Sequence, residues 1–404
     1  MGTLALLGRS LRHRDYRLFF FGQLLSLHGT WMQNLAQAWL VYRLSHSSFM
    51  LGLVGFLTLF PVLVLGFYGG AVADRVDRRR LFLLAQTLAM LQATVLALLT
   101  LTGQVQLWHI LLLAGLLGFV HAFEIPARHA MVAALVPRED LPNAVALNSS
   151  LFNLARFLGP VTAGWVVDWT SEGVAFAINA VSFVAVILSL LAMRGQGTPL
   201  PDAPRRGGVL DGLRFAWRRP HLRRALVLIG LASLLAAPYV VLLPVVADQV
   251  FGGGAGRLGY LVGAAGFGAF LGALNLARQE GDEALGQRIG VAGVVAGGGL
   301  LGFAMADQLF EGVLMLVAVG FGVTSLVAAT NTYLQLAAPD RLRGRVMSLF
   351  SVIFIGMMPL GNLLVGALAE VIGVGYSLAI MGGGTTLAAL RFLGQVVRER
   401  QAQD

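Results

Sequence analysis

Ionisable groups inside long apolar stretches are the residues of this 404-residue chain best placed to do chemistry. A charge in a bilayer core costs several kcal/mol unless it is paired, caged or neutralised by a proton, so such residues mark ion pathways, gates and ligand contacts. Glu124 is the one carboxylate clearly within an apolar span. It can carry a proton, or pair with an arginine near the cytoplasmic face, or do both if protonation breaks the pair. His121 stands one helical turn earlier, where it either shares that proton or is a hydrogen-bonded structural residue. Arg156 lies about twelve residues, or ~18 Å, into its span and needs a counter-charge, a carbonyl cage or an anionic ligand. Glu124 itself is one structural partner it could reach.

Polar uncharged side chains follow helical spacing in the same stretches. Ser26, Thr30, Gln33, Asn34 and Gln37 fall on one face with Trp31 beside them. Ser149, Asn153 and Arg156 share a face further on, and Ser348, Ser351 and Asn362 lie in a late span. Such faces avoid lipid, so they line a cavity or bond between helices. A cavity of polar handles on an apolar wall with little fixed charge suits amphipathic, bulky or weakly charged substrates, not sugars or small ions.

The elements that position these residues are membrane-spanning helices. The chain is 57% hydrophobic and 12% charged, and its apolar residues form continuous runs, not the alternation of a β-barrel. Twelve spans are expected, near 17–42, 49–73, 81–102, 107–131, 144–168, 174–194, 222–247, 257–278, 286–306, 310–333, 345–369 and 374–394. No cysteine and no lysine occur. Thiolate metal sites, cysteine nucleophiles, Walker A nucleotide binding and Schiff-base chemistry are thereby excluded, and no metal site is expected. No Gly-x-Ser-x-Gly or His-Glu-x-x-His pattern points to a hydrolase, so no enzyme is expected. The net charge of +9 follows the membrane, so nucleic acid is not an expected partner.

Arginine placement sets an orientation. With twelve spans and both termini cytoplasmic, nearly every arginine falls in or beside an inner segment, and only Arg43 and Arg257 fall outside. Asp168, Glu172, Asp248, Asp307, Glu311 and Glu370 are the outer acids. The N-terminal arginines precede a span that no cleavage signal follows, so the first span is expected to remain in the protein.

Sliding the chain by half its length, 202 residues, lays Pro137 on Pro339, Ser149 on Ser351, Gly159 on Gly361, Gly164 on Gly366 and Asp168 on Glu370. Two parallel six-helix repeats follow, related by an axis along the membrane normal. The expected domains are residues 1–194, a central cytoplasmic loop at 195–221 with an amphipathic helix on the membrane surface, and residues 222–404. Glycine pairs four apart, Gly268 with Gly272 and Gly293 with Gly297, read as close helix crossings.

Two motifs could govern motion. The hairpin at 69–80 holds Gly70, which would let helices pack closely, then Asp74, Arg75, Asp77, Arg78, Arg79 and Arg80. Its aspartates and arginines can hold the inner face closed, with Glu124 as partner of Arg75 or Arg78, or the arginines can anchor topology alone. Arg343, in the loop that answers 137–143, would help at the second inner face. The hairpin's counterpart, Arg278 to Glu283, lacks the full pattern. Gly159, Pro160 and Gly164 would bend the fifth span and allow tight packing.

Gly70, Asp74, Arg75, Arg78 and Arg79 resemble the Gly-x-x-x-Asp-Arg-x-Gly-Arg-Arg signature of the major facilitator superfamily, with Asp77 where that signature has glycine. Residues 13–19, 29–34 and 126–130 resemble its enterobactin-exporter-type branch of drug and siderophore exporters. Residues 159–164 resemble an exporter motif of the fifth span, with Ala163 in place of a glycine. The resemblance implies an all-α major facilitator fold with the hairpin as a gate. It implies a proton-coupled exporter of amphipathic drugs or siderophore-like metabolites in a bacterial inner membrane, monomeric and without cofactor. An arginine early in the fourth span and an acid in the first, common in drug–proton antiporters, are absent. A lipid or lysolipid flippase of the same fold and a non-transporting sensor or scaffold remain open readings.

Overall fold

The computed structural model describes residues 8–194, 209–277 and 285–401. Apolar runs longer than a bilayer is thick can satisfy their backbone only as helices, and the described residues are almost wholly helical. In chain order the helices are α1 (Arg14–Ser45), α2 (Ser48–Arg75), α3 (Arg78–Leu101), α4 (Leu107–Ala134), α5 (Leu141–Trp169) and α6 (Glu172–Ala192). A short helix α7 (Val209–Trp217) follows, and then α8 (Pro220–Val250). The last five are α9 (Ala255–Ala277), α10 (Leu285–Ala304), α11 (Leu309–Ala337), α12 (Asp340–Ile372) and α13 (Val374–Gln401). α8 is broken: it passes through a 3₁₀ segment at Ala237–Leu242 and a π turn at Val246–Val250, around Pro238 and Pro244.

Without α7 these are the twelve expected spans. Ten of them are long and apolar enough to cross a membrane by length and composition. The two that fall short are α1 and α5, the helices whose polar faces were noted above. Residues 195–208 of the central segment and the stretch Arg278 to Glu283 lie outside the described residues.

The chain divides into two compact units, residues 1–46, 57–203 and 254–259 in the first, and 47–56, 204–253 and 260–404 in the second. In the first unit α1 packs on α5 and α6, and α3 packs on α4 and α6. In the second, α8 packs on α12 and α13, and α10 on α11 and α13. The pairings are the same under the half-chain shift, so each repeat builds the same bundle.

Small residues set the close crossings. In α1, a Cβ on Gly22 or Gly29 would come within 3.1 Å of the α6 backbone, at Val186 and Asn179. In α10, a Cβ on Gly297 would lie 2.6 Å from the Thr386 amide nitrogen of α13. The first unit's core is aromatic around the start of α1, where Phe19 and Phe82 meet at 6.0 Å and the buried Tyr16 hydroxyl donates to the Ala144 carbonyl at 2.8 Å.

Charged residues tie down helix ends. Arg43 forms a two-pronged pair with Glu172, Nε to Oε1 at 2.9 Å and the second nitrogen to Oε2 at 3.0 Å. Asp140 is held by Arg9 and by His13 Nε2 at 2.7 Å. The guanidiniums of Arg14 and Arg79 donate to the Ala192 and Leu191 carbonyls, at 3.1 and 3.0 Å. These are the free carbonyls of the last turn of α6, where a cation also meets the negative end of the helix dipole. The repeat-related acids cap helix starts in their own units. Asp168 Oδ2 accepts from the Gly256 amide at 3.0 Å, and Glu370 Oε2 accepts from the Phe49 amide at 3.1 Å.

Candidate functional site

Five helices of the first unit enclose a cavity of about 240 Å³. α1 supplies Gln23, Ser26, Thr30, Trp31 and Asn34 to its wall; Ser26, Thr30, Trp31 and Asn34 belong to the polar face read in the sequence, and Gln23, one turn earlier, extends it. α3 adds Gln86, α4 adds His121, Glu124 and Arg128, α5 adds Phe152 and α6 adds Phe183. The helices carry these polar groups because the bundle interior is the one place in such a span where they avoid lipid.

Glu124 is 9% exposed, and its Oε1 lies 3.5 Å from Arg128 Nε, one turn further along α4. Among the described residues Glu124 pairs with Arg128, and with neither Arg75 nor Arg78. Arg128 was not singled out in the sequence, although an acid followed by a base four residues later on one helix is a readable signal. The Arg128 guanidinium sits 5.9 Å from the Phe152 ring, Phe152 meets Trp31 edge-on at 5.6 Å, and the Arg156 guanidinium sits 5.9 Å from the Trp31 ring. Arg156 has no carboxylate within ion-pair distance among the described residues. Its charge rests against an aromatic face, a contact worth about 0.5–2 kcal/mol.

The amides of α1 divide between two roles. Gln23 is 1% exposed and its Nε2 faces the cavity wall without a hydrogen-bond partner. Gln33 is turned away from the cavity into a buried chain: its Nε2 donates to Gln92 Oε1 at 2.9 Å, and its Oε1 accepts from Asn179 Nδ2 at 2.8 Å. That chain joins α1, α3 and α6. Gln37 is buried and does not line the cavity, and the Asn153 amide donates to the Ser149 carbonyl of its own helix at 2.9 Å. Trp31 and Asn34 thus line the cavity, Arg156 stands behind Trp31, and Gln33, Gln37 and Asn153 do not line it.

In the hairpin, Asp74 and Arg75 are exposed at the end of α2. Arg78 is 4% exposed and its Nε has no hydrogen-bond partner. Arg79 holds the end of α6, and Arg343 Nε donates to the Gln335 carbonyl at 3.1 Å in the second unit. The packing role expected of Gly70 belongs to Gly69: a Cβ there would lie 2.1 Å from the Ala122 carbonyl of α4, whereas nothing lies within 4 Å of one on Gly70. Asp77, the departure from the signature, is the N-cap of α3, its Oδ1 accepting from the Arg79 amide at 2.9 Å and the Arg80 amide at 3.1 Å.

Gly159 and Gly164 of the fifth span are tight contacts. A Cβ on Gly159 would lie 2.6 Å from that of Trp31, and one on Gly164 2.7 Å from the Ala255 carbonyl. Pro160 lies inside α5, and Thr162 Oγ1 bonds His28 Nε2 of α1 at 3.0 Å. The close seating of Gly159 on α1 is what places Trp31 against Phe152.

The chain is similar over nearly its whole length to known transporters. It is 27% identical to the staphyloferrin A transporter of Staphylococcus aureus (strain NCTC 8325 / PS 47), over 93% of this chain and 95% of the relative. It is 27% identical to the multidrug efflux pump Tap of Mycolicibacterium fortuitum, over 88% and 90%. It is 26% identical to the enterobactin exporter EntS of Escherichia coli O1:K1 / APEC, over 96% and 93%. In fold it is similar to a bacterial homologue of the human lysosomal transporter Spinster (TM-score 0.70, 14% identity, 98% of this chain and 96% of that one). It is also similar to the peptide transporter POT (TM-score 0.77, 14% identity, 95% and 94%). The profile of the transmembrane secretion effector family matches residues 8–404. The chain therefore belongs to that family, within the major facilitator superfamily, and is a multi-span membrane transporter, not an enzyme.

Proposed function

We propose that this transporter exports a small amphipathic molecule of the drug or siderophore type across a bacterial inner membrane, by alternating access and in exchange for protons, with both termini cytoplasmic. The kinds of molecule named for its relatives support the substrate class. The observation that carries the mechanism is the Glu124–Arg128 pair in the wall of a cavity that also holds Gln23, Asn34, Trp31 and Phe152.

An ionised Glu124 is tolerated there because Arg128 neutralises it. A substrate whose donor group binds the Glu124 carboxylate competes with a proton for the same oxygens. Entry of the proton then releases the substrate, which is the order that exchange requires. His121 lines the same wall, one turn earlier on α4, and would pass the proton to Glu124. Trp31 and Phe152 supply the apolar contact that an amphipathic molecule needs.

The test is substrate flux in proteoliposomes with an imposed pH gradient, for the wild type and Glu124→Gln. The variant is expected to lose gradient-driven transport and to keep gradient-independent counterflow. Full gradient-driven activity in Glu124→Gln removes Glu124 from coupling. Wild-type transport that ignores the gradient refutes the coupling itself.

A further inference from the structure

On the opposite side of α3 and α4 from the ligand cavity, the first unit carries a second concavity. An apolar cavity of about 220 Å³ with no polar lining opens between α2, α3 and α4, with Leu88, Phe119 and Phe123 in its wall. A recess of about 350 Å³ adjoins it and ends at Asp77 and Arg80. Val72, Leu81 and Leu84 line both, so the two form one groove running from the charged hairpin along the spans. Leu81, Leu84, Ala85 and Leu88 form an apolar stripe on α3, about 10 Å long at 1.5 Å per residue. The approach of Gly69 to the Ala122 carbonyl brings α2 onto α4 behind it.

The mouth of the groove is cationic. The Arg80 side chain is 88% exposed, and its nearest carboxylate, Asp77, is 3.8 Å away with the other oxygen committed to capping α3. An exposed pair at that distance leaves the guanidinium available to another anion. Four arginines against two aspartates between 74 and 80 add to the attraction. Leu84 and Phe119, 57% and 49% exposed, give the groove its outer edges.

We propose that this groove binds one anionic phospholipid, an acyl chain lying along the α3 stripe and the phosphate on Arg80. The dry lining and the single cationic mouth match a lipid, not a water-soluble anion. Val120 belongs to the walls of both the groove and the ligand cavity. The bound chain therefore rests on the back of the transport site.

Native mass spectrometry of the purified protein with phosphatidylglycerol or phosphatidylcholine of identical chains tests this. Wild type is expected to retain phosphatidylglycerol about fivefold more strongly, the worth of one arginine–headgroup contact. Arg80→Ala loses that preference but still binds both lipids through the groove. Leu84→Trp, which fills the groove from an exposed position, loses both. Arg138→Ala, an exposed arginine elsewhere on the first unit, keeps the wild-type preference. An Arg80→Ala variant with undiminished preference overturns the proposal, and so does Leu84→Trp with unchanged occupancy. Displacement of the lipid by excess inorganic phosphate also overturns it, because the site is then a surface anion contact.

Discussion

Gln23 and Gln33 stand ten positions apart on the same helix, and the structure gives them opposite consequences on removal. Gln33 bridges Gln92 and Asn179. Gln33→Leu strands the Gln92 carbonyl oxygen and the Asn179 amide, and Gln92 Nε2 already lacks a partner. Each stranded buried group costs about 1–3 kcal/mol, so the loss is about 2–6 kcal/mol. The weaker scale of interhelical side-chain bonds in membranes, about 0.6 kcal/mol each, still gives about 1.2 kcal/mol. Gln23→Leu removes an unsatisfied donor instead, so it is neutral or stabilising by up to about 1 kcal/mol. The assay is heat-induced loss of the monodisperse peak in detergent, paired with ligand affinity for the folded fraction. Gln33→Leu should melt several degrees lower with affinity unchanged. Gln23→Leu should melt at or above wild type with affinity altered. If Gln33→Leu changes affinity while leaving stability intact, Gln33 lines the cavity and the amide-chain argument fails. Equal destabilisation by both variants refutes the assignment of Gln23 as unpartnered.

Asp77→Ala should lower stability by about 1 kcal/mol through loss of the α3 cap, while Asp77→Asn and Asp77→Gly should cost only a few tenths, read in the same melting assay. Gly70→Ala should be neutral or stabilising by up to about 1 kcal/mol, since nothing lies near its Cβ position and alanine favours helix. Gly69→Ala should destabilise clearly, because the new methyl meets the Ala122 carbonyl and neither backbone can yield without separating α2 from α4. Equal melting temperatures for the two glycine variants would refute that packing.

Where the sequence was legible, the signal was periodic or local. Apolar run length located the spans, and the half-chain shift located the repeat. The polar face of α1 pointed inward because no other placement spares those groups from lipid. It resolved a face, not a contact. Neighbouring helix positions differ by about 100°, enough to send Asn34 into the cavity and Gln33 into a chain of amides.

The sequence by itself determined that this chain is a two-repeat helical membrane protein with charged residues inside its fourth and fifth spans. Those properties follow from composition summed along each helix, and lipid enforces them whatever the packing. Tertiary structure decided the partners between helices. Arg156 meets Trp31, 125 positions away, because Gly159 lets α5 close on α1. Arg79 meets the end of α6, 112 residues on, because α3 packs there. Glu124 took the arginine on its own helix over those of the hairpin. A contact between helices depends on which side chains arrive within about 4 Å, and that distance is set by how helices cross, whereas the Glu124–Arg128 pair and the Asp77 cap are written along one stretch of chain.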